Sequence, residues 1–308
     1  MLIGGGRFHW GSVNSTDRQD HEMDGSLHGS WSAADAAAVA RVDQLLDGTA
    51  PLGVAFSGGV DSSVLAALAV RCLGAAQVTA ILGVSPSLAA DERSAAHHVA
   101  SVIGVRVVEI QTHEGDRPEY QRNGPDRCFH CKDELFTRIS AELATELGLR
   151  AVAYGENADD ARRADRPGSR AAAAHDVLRP LADAGLDKAA VRRIARSLAL
   201  PCADKPAAPC LASRIPHFDP VDAAKLGQIE RAESALRRLG FGDVRVRHHG
   251  DVARIELPAD DLQRIAAEPA RSAVRAAVTD AGFRFVAVDL AGIQSGAFTL
   301  PLVQGRHD

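Results

Sequence analysis

The residues best suited to chemistry form the loop Ser57-Gly58-Gly59-Val60-Asp61-Ser62-Ser63. Two adjacent glycines let the backbone approach a phosphate closely, because neither has a Cβ atom. The helix predicted to follow offers free N–H groups and the positive end of its dipole to an anion. Ser57, Ser62 and Ser63 add hydroxyl donors, and Asp61 can hold a magnesium ion on the phosphates. The loop therefore predicts a nucleotide site without identifying the second substrate.

The sequence on either side of this loop distinguishes a phosphate-binding loop from an ordinary loop at the start of a helix. Ser-Gly-Gly is common in ordinary loops, and Asp-Ser-Ser is an ordinary helix start. The complete motif lies between an apolar strand ending near Phe56 and an apolar helix from Val64 to Val70, which favours phosphate binding. It is not the Walker loop, because the Gly-Lys-Ser/Thr ending of that motif is absent.

Three cysteines form the second group of residues that could do chemistry. Cys128 and Cys131 are separated by two residues, just before a helix that we predict over 132–147. Such a placement lowers the pKa of a thiol and lets both sulfurs reach one metal. A zinc site would need a second pair at similar spacing, and the sequence has none. Cys210 adds a third thiolate from a proline-rich loop, and three thiolates suit a four-iron four-sulfur cluster with one open iron.

Other interpretations of these cysteines stay open. Cys128 and Cys131 could be small buried apolar residues, although the polar residues around them count against this. Arg214, which follows Cys210 closely, could lower the pKa of that thiol or bind a phosphate. Cys72 lies in an apolar helix and is interpreted as core packing.

Length and composition indicate a soluble globular protein. The chain has 308 residues, of which 46% are hydrophobic and 24% are charged, enough to bury a large core. Its net charge of −5 does not favour a dedicated nucleic-acid binder. No apolar run approaches the roughly 18 residues that span a bilayer, and the N-terminus has no signal pattern, so we expect a cytoplasmic protein without a membrane partner. An odd number of cysteines, five, argues against a disulfide framework.

Alternating strands and helices must position the loop and the cysteines. The sequence predicts helices over 33–46, 88–103 and 187–198, the last of them capped by Asp187, and strands over 77–84, 105–111 and 150–154. This alternation predicts an α/β fold with a doubly wound parallel sheet. Ligands of such sheets bind at the carboxyl ends of the strands, where the phosphate loop lies.

The chain is expected to divide into a tail and two domains. Residues 1–31 are rich in Gly, Ser, His and Asp, which predicts a flexible tail, and residues 32–216 hold the parallel sheet. After residue 217 the patterns predict a long helix over 221–239, strands over 244–248, 253–257 and 283–288, and two more helices between the last two strands. Residues 217–308 are therefore predicted to form a smaller C-terminal α+β domain.

Six segments together resemble the LarE family of ATP-dependent sulfur transferases, which belongs to the ATP pyrophosphatase superfamily. They are SGGVDSS at 57–63, RCFHCK at 127–132, GENADD at 155–160, RPG at 166–168, PCLASRIP at 209–216 and VRVRHHGDVARIE at 244–256. The resemblance implies the adenine nucleotide alpha hydrolase-like type of doubly wound sheet. It also implies that ATP adenylates a carboxylate of pyridinium-3,5-biscarboxylic acid mononucleotide and that sulfur replaces oxygen, during biosynthesis of the nickel-pincer cofactor.

The resemblance assigns roles to individual residues. Those expected to bind ATP are Ser57, Gly58, Gly59, Asp61, Ser62, Ser63, Gly155 and Asn157, with Asp61 on magnesium. Those expected to bind the substrate or a phosphate are Arg214, Arg245, Arg247, Glu233 and Glu256. Any single arginine of this set could instead be a solvated charge. The chain departs from the family at His217-Phe218-Asp219, where an aromatic residue and a glycine are often found.

Two sulfur sources occur in the family. In one, the cysteine that matches Cys210 gives up its own sulfur and becomes dehydroalanine. In the other, three cysteines hold a four-iron four-sulfur cluster whose open iron binds an extra sulfide. Because Cys128 and Cys131 accompany Cys210, we favour the cluster as a hypothesis. ATP and Mg²⁺ are expected cofactors in both cases.

Other functions fit parts of these observations. A tRNA-thiolating ATP pyrophosphatase combines the same loop with three cluster cysteines, but the acidic net charge and the cysteine count disfavour it. A non-catalytic nucleotide-binding or sulfur-carrier module would bind ATP without releasing pyrophosphate. GMP and NAD synthetases need no cysteine cluster. We expect a small-molecule nucleotide substrate, no nucleic-acid partner and a homo-oligomer.

Overall fold

The computed structural model of the chain describes residues 31–163 and 167–293. The predicted flexible tail therefore lies outside the described residues, apart from Trp31. The structure contains two compact units. The first comprises the chain up to Gly83 with Ala95–Ile110 and Leu135–Pro206, and the second comprises Val84–Ser94, Gln111–Glu134 and the chain from Ala207 onward. The domain boundary near residue 217 stays a prediction.

A parallel sheet of four strands organises the first unit, in the order β3-β2-β1-β4. The strands are β1 (Leu52–Ala55), β2 (Val78–Val84), β3 (Arg106–Gln111) and β4 (Ala151–Tyr154). β1 is central, since Leu52 pairs with Val78 on one side and with Ala151 on the other. Its first three residues are fully covered, which explains the continuous apolar sequence. The predicted α/β fold with a parallel sheet is confirmed.

Helices connect and cover the strands. Their bounds are α1 Ala33–Leu46, α2 Val60–Leu73, α3 Ala90–Ile103, α4 Pro118–Gln121, α5 Arg127–Arg138, α6 Ala144–Glu146, α7 Ala158–Ala161, α8 Pro167–Ala174, α9 Pro180–Asp183, α10 Lys188–Ser197, α11 Ala223–Arg238, α12 Leu262–Ala266 and α13 Ala270–Asp280. As predicted, Asp187 caps α10, accepting the Ala190 N–H at 2.7 Å. Asp222 caps α11 in the same way through the Lys225 N–H at 2.8 Å.

The predicted start of the helix near Lys132 is wrong. α5 begins at Arg127, so both Cys128 and Cys131 lie within its first turns. The Asp126 carbonyl accepts the Phe129 N–H at 2.8 Å and begins the turn. The polar sequence of these turns concealed the helix, because its apolar periodicity starts only at Leu135. A single π-helical turn, Ile139–Leu143, then follows.

The second unit contains a three-stranded sheet in the order β5-β6-β7. β5 (Arg245–His249) runs antiparallel to β6 (Val252–Glu256), and β7 (Phe285–Val288) runs parallel to β6. Helices α11 and α13 cover this sheet, and Leu236, Val246 and Val278 lie in their shared core. The strands predicted over 244–248, 253–257 and 283–288 are therefore present. Of the helices in the described part of the chain, none combines the length and apolar character needed to cross a membrane.

Candidate functional site

The loop between β1 and α2 is held by its own serines. The Ser57 N–H donates to Ser62 Oγ at 3.2 Å, and that hydroxyl donates to the Gly59 carbonyl at 3.1 Å. Gly58 has φ +69°, and a Cβ atom there would lie 2.6 Å from Ala96 Cα, so only glycine fits. The Ser63 hydroxyl is buried and has no hydrogen-bond partner among the described residues. The loop thus combines a fixed backbone with an unused hydroxyl group.

Gly155 permits a close approach of β4 to this loop. A Cβ atom on Gly155 would lie 2.5 Å from the Ser62 nitrogen and 2.7 Å from the Asp61 carbonyl carbon. Asn157 follows and caps α7, with its Oδ1 atom accepting the Asp160 N–H at 3.0 Å. Its Nδ2 atom donates to Asp61 Oδ1 at 3.3 Å. The structure therefore brings the predicted nucleotide residues of both segments together in the first unit.

Lys188 is a residue of this site that the sequence reasoning missed. Its Nζ atom lies 2.5 Å from Asp61 Oδ2. The only signal in the sequence was a lysine at the first position of a predicted helix. The N-terminal ends of α2 and α10 thus meet at one carboxylate, and both helix dipoles favour an anion there.

In the second unit, three cysteines lie close enough for their charges to interact. Burial raises the pKa of Cys131 well above its ordinary value, and negative charge on Glu114, Cys210 and Cys128 raises it further. The predicted lowering of the thiol pKa is therefore wrong for Cys131. The other two cysteines are elsewhere in the fold. Cys202 is buried, and the Cys72 thiol donates to the Asp43 carbonyl at 3.6 Å.

Arg127 is a second residue that the sequence reasoning missed. Its guanidinium group is buried; burial lowers its pKa, but charges on Cys210, Cys128, Tyr120 and Cys131 outweigh this and raise it. Its Nη1 atom donates to Asn123 Oδ1 and to the Ala212 carbonyl, the latter at 3.0 Å. Arg127 therefore supplies a positive charge next to all three thiols.

Three cysteine thiols are the right type and number of ligands for an iron–sulfur cluster, but in this structure their side chains are not arranged to hold one. Three thiols with a neighbouring cation are a suitable donor set for a cluster with one open iron. Within residues 31–163 and 167–293, however, no three His, Cys, Asp or Glu side chains are arranged to hold a metal ion. The three side chains would have to rearrange before a cluster could bind.

Arg214 acts on the backbone of the Cys210 loop. Its Nη1 atom donates to the Pro209 carbonyl at 2.6 Å and to the Cys210 carbonyl at 3.4 Å. Its Nε and Nη2 atoms donate to the two oxygens of Glu233, at 2.8 and 3.1 Å. Glu233 is fully buried and also accepts the Val246 N–H at 2.9 Å. Arg214 and Glu233 therefore fix the loop that carries Cys210. Cys210 is exposed as a residue, but loss of hydration around its sulfur raises the pKa of the thiol, which Arg127 and, more weakly, Arg214 oppose.

The two arginines of β5 are buried rather than solvated. Arg247 donates to Glu256 Oε2 at 2.7 Å and to the Ser213 carbonyl at 2.9 Å. Arg245 is 6% exposed and donates to the Ala207 carbonyl at 3.4 Å. Burial lowers the pKa of Arg245, and the charges of Arg214 and Arg247 lower it further. Three buried guanidinium groups, those of Arg214, Arg245 and Arg247, therefore lie close to the buried carboxylates of Glu233 and Glu256.

A strained turn follows the Cys210 loop. Phe218 has φ +71° and is 63% exposed. Its N–H donates to the carbonyl of Asn123 at 3.1 Å. The buried Asn123 amide donates to the carbonyls of Pro216 and Asp219, at 2.7 and 2.9 Å. The backbone at this position therefore favours glycine over a residue with a Cβ atom.

Comparison with known proteins gives three relatives and one family model. The asparagine synthase model matches residues 35–160. An uncharacterized protein of Synechocystis sp. is 42% identical over 79% of this chain and 90% of its own length. The pyridinium-3,5-bisthiocarboxylic acid mononucleotide synthase of Lactiplantibacillus plantarum is 32% identical over 82% of this chain and 90% of its own length. An uncharacterized protein of Methanocaldococcus jannaschii is 31% identical over 55% of this chain and 64% of its own length.

Proposed function

The chain belongs to the LarE family of ATP-dependent sulfurtransferases, and from this premise we propose the reaction that it catalyses. The substrate is pyridinium-3,5-biscarboxylic acid mononucleotide. The Lactiplantibacillus relative is named as the synthase of the corresponding thiolated compound, pyridinium-3,5-bisthiocarboxylic acid mononucleotide. One carboxylate oxygen attacks the α-phosphorus of ATP, and pyrophosphate leaves. A sulfur nucleophile then attacks the acyl carbon, and AMP leaves with the oxygen.

One observation supports this proposal most directly: buried arginines donate hydrogen bonds to the backbone carbonyls of the loop that carries Cys210. Arg214 binds the backbone of Pro209 and Cys210, and Arg247 binds that of Ser213. The loop that carries Cys210 is therefore held by the same network of buried, positively charged arginines. A mononucleotide phosphate is the anion that this charge would bind, with Arg245 as its principal partner.

The first unit supplies the ATP side of the reaction. Backbone N–H groups of the loop and the α2 dipole hold the pyrophosphate portion, with hydroxyl groups from Ser57 and Ser63. Asp61 holds magnesium, which neutralises charge on the leaving pyrophosphate. Gly155 keeps Asn157 within reach of Asp61. These residues bind and orient ATP so that its α-phosphorus is open to attack.

For the sulfur source we propose an iron–sulfur cluster on Cys128, Cys131 and Cys210. When bound, such a cluster supplies a sulfide at its open iron. Arg127 would offset the negative charge that three thiolates introduce. The alternative is that Cys210 itself gives up its sulfur, and then Cys128 and Cys131 would have no part in the transfer.

The reaction is tested by incubating the purified protein with ATP, magnesium and the dicarboxylate mononucleotide. We expect pyrophosphate and AMP to appear only when the mononucleotide is present, with a product mass that shows exchange of oxygen for sulfur. Asp61→Asn serves as the control and should release no pyrophosphate. Substrate-independent pyrophosphate release, or none from the native protein, contradicts the proposal.

Anaerobic mass spectrometry of Cys210 after turnover decides between the sulfur sources. An unchanged Cys210 in iron-loaded protein that makes several products per chain supports the cluster. Loss of one H₂S from Cys210, or product formation by iron-free protein, overturns it in favour of the sacrificial route.

A further inference from the structure

The side chain of Asp61 is engaged at both of its oxygens. Lys188 Nζ lies 2.5 Å from Oδ2, and Asn157 Nδ2 lies 3.3 Å from Oδ1. Asp61 is 20% exposed and Lys188 is 39% exposed, so the pair is only partly shielded from solvent. A magnesium ion binds a carboxylate oxygen at roughly 2.0–2.1 Å. Because two cations repel each other, magnesium at Oδ2 would compete with the ammonium group of Lys188.

Helix stability does not account for a lysine at this position. Lys188 is the first residue of α10, where the helix dipole disfavours a positive charge. Its N–H donates to Asp159 Oδ2 at 2.9 Å, and Asp187 caps the same turn. The backbone of Lys188 is therefore fixed by two carboxylates, whereas its side chain reaches Asp61 through a flexible four-carbon stem.

Binding of nucleotide changes the charge balance at Asp61. Magnesium–ATP brings a net negative charge to a loop that already contains this carboxylate. The two helix dipoles compensate part of that charge, and an ammonium group released from Asp61 would compensate more. In the nucleotide-free protein, Lys188 can therefore neutralise the charge of Asp61. In the nucleotide-bound protein, the same lysine can neutralise the charge of a phosphate oxygen.

We propose that Lys188 closes the metal site of Asp61 in the nucleotide-free enzyme and moves to a phosphate oxygen when magnesium–ATP binds. This inference rests on the proposed role of the loop in binding ATP. It makes Lys188 a ligand-positioning residue and couples the two binding events, so that the metal enters with the nucleotide rather than before it. A lysine that only joined α2 to α10 would affect stability but would not control the metal.

The first test measures Mn²⁺ binding to the nucleotide-free protein by electron paramagnetic resonance. We expect Lys188→Met to bind Mn²⁺ about three- to fivefold more tightly than the native protein, because the competing ammonium is gone. Lys188→Arg keeps the charge and should bind as the native protein does. Lys225→Met removes a comparable ion pair to Asp222 in the second unit and should also leave Mn²⁺ affinity unchanged. Equal affinity of Lys188→Met and the native protein would overturn the closed metal site.

The second test measures magnesium–ATP binding by equilibrium dialysis, with thermal melting to confirm that each variant is folded. We expect Lys188→Met to bind magnesium–ATP about tenfold more weakly, the loss expected for a charged hydrogen bond. Undiminished ATP affinity in this variant would overturn the transfer to phosphate. If the native protein bound no ATP, the proposed function itself would fail, so the two failures are distinguishable.

Discussion

Burial and the charges of Arg214 and Arg247 lower the pKa of Arg245, whereas Arg214 donates hydrogen bonds to both carboxylate oxygens of Glu233. Arg214 also donates to the backbone of the Cys210 loop, and we propose Arg245 as the principal partner of the substrate phosphate. Removing one partner of a buried ion pair costs about 3–5 kcal/mol. Substitution of Arg214 is therefore expected to unfold or loosen the Cys210 loop before any effect on substrate binding can be measured.

Substitution of Arg245 should separate binding from stability. We expect Arg245→Gln to raise the KM for the mononucleotide about tenfold or more, because a charged hydrogen bond to phosphate contributes about 1.5–3 kcal/mol. Stability should fall less than in Arg214→Gln, because the variant relieves repulsion from Arg214 and Arg247. Steady-state kinetics and urea unfolding measure the two effects. Arg271→Gln, whose native side chain pairs with Glu268, is the control, and an unchanged KM in Arg245→Gln would contradict the assignment.

His248 gives the second unit a pH-dependent stability. Burial lowers the pKa of His248, as does the charge of Lys225. The unfolded chain therefore binds a proton at higher pH than the folded chain, so stability is present above about pH 6.5 and falls below it. We expect urea midpoints to drop from pH 7 to about pH 5.5 and His248→Gln to reduce that drop. His98→Gln, at an exposed site, is the control; an equal drop in His248→Gln would contradict this origin.

Among the elements, the crossing of the Gly155 segment over the start of α2 sets the shape of the nucleotide loop. We expect Gly155→Ala to lose about 1–3 kcal/mol of stability and to bind ATP more weakly, since its Cβ would displace the Ser62 backbone. Urea unfolding and equilibrium dialysis provide the measurements. A Cβ on Gly242 meets nothing within 4 Å, so Gly242→Ala is a matched control. Native ATP affinity in Gly155→Ala would show that the crossing can shift freely.

Local patterns in the sequence predicted the elements well, and long-range contacts account for what they missed. The strand–loop–helix at Ser57 and the Asp187 cap depend on neighbouring residues, and both appear as predicted. Lys188 pairs with a residue far away in the chain, which no spacing could reveal. Buried and exposed side chains do not alternate along β5. Arg245, Val246 and Arg247 are all buried, because both faces of the strand are covered.

For the whole molecule, ligand binding should raise the free energy of unfolding and therefore the melting temperature. A ligand that binds only the folded state stabilises it by about 2.7 kcal/mol at one hundred times its Kd. We therefore expect magnesium–ATP to raise the melting temperature of the native protein progressively with concentration. Asp61→Asn should show a much smaller rise, as the metal contact is lost. A scanning thermal assay with ATP and magnesium separately and together measures this, and equal shifts in both proteins would argue against Asp61.

The backbone of Phe218 has a consequence for how chains of this kind diverge. Its turn is imposed by Asn123, which is distant in sequence, so the path of the loop does not depend on a glycine within it. A lineage that keeps this asparagine can replace the glycine by a bulky residue at a penalty of about 1–2 kcal/mol and still fold. A sequence search that requires glycine at the position of Phe218 would miss such chains. A search that also requires an asparagine at the position of Asn123 and allows other residues in the turn would detect them.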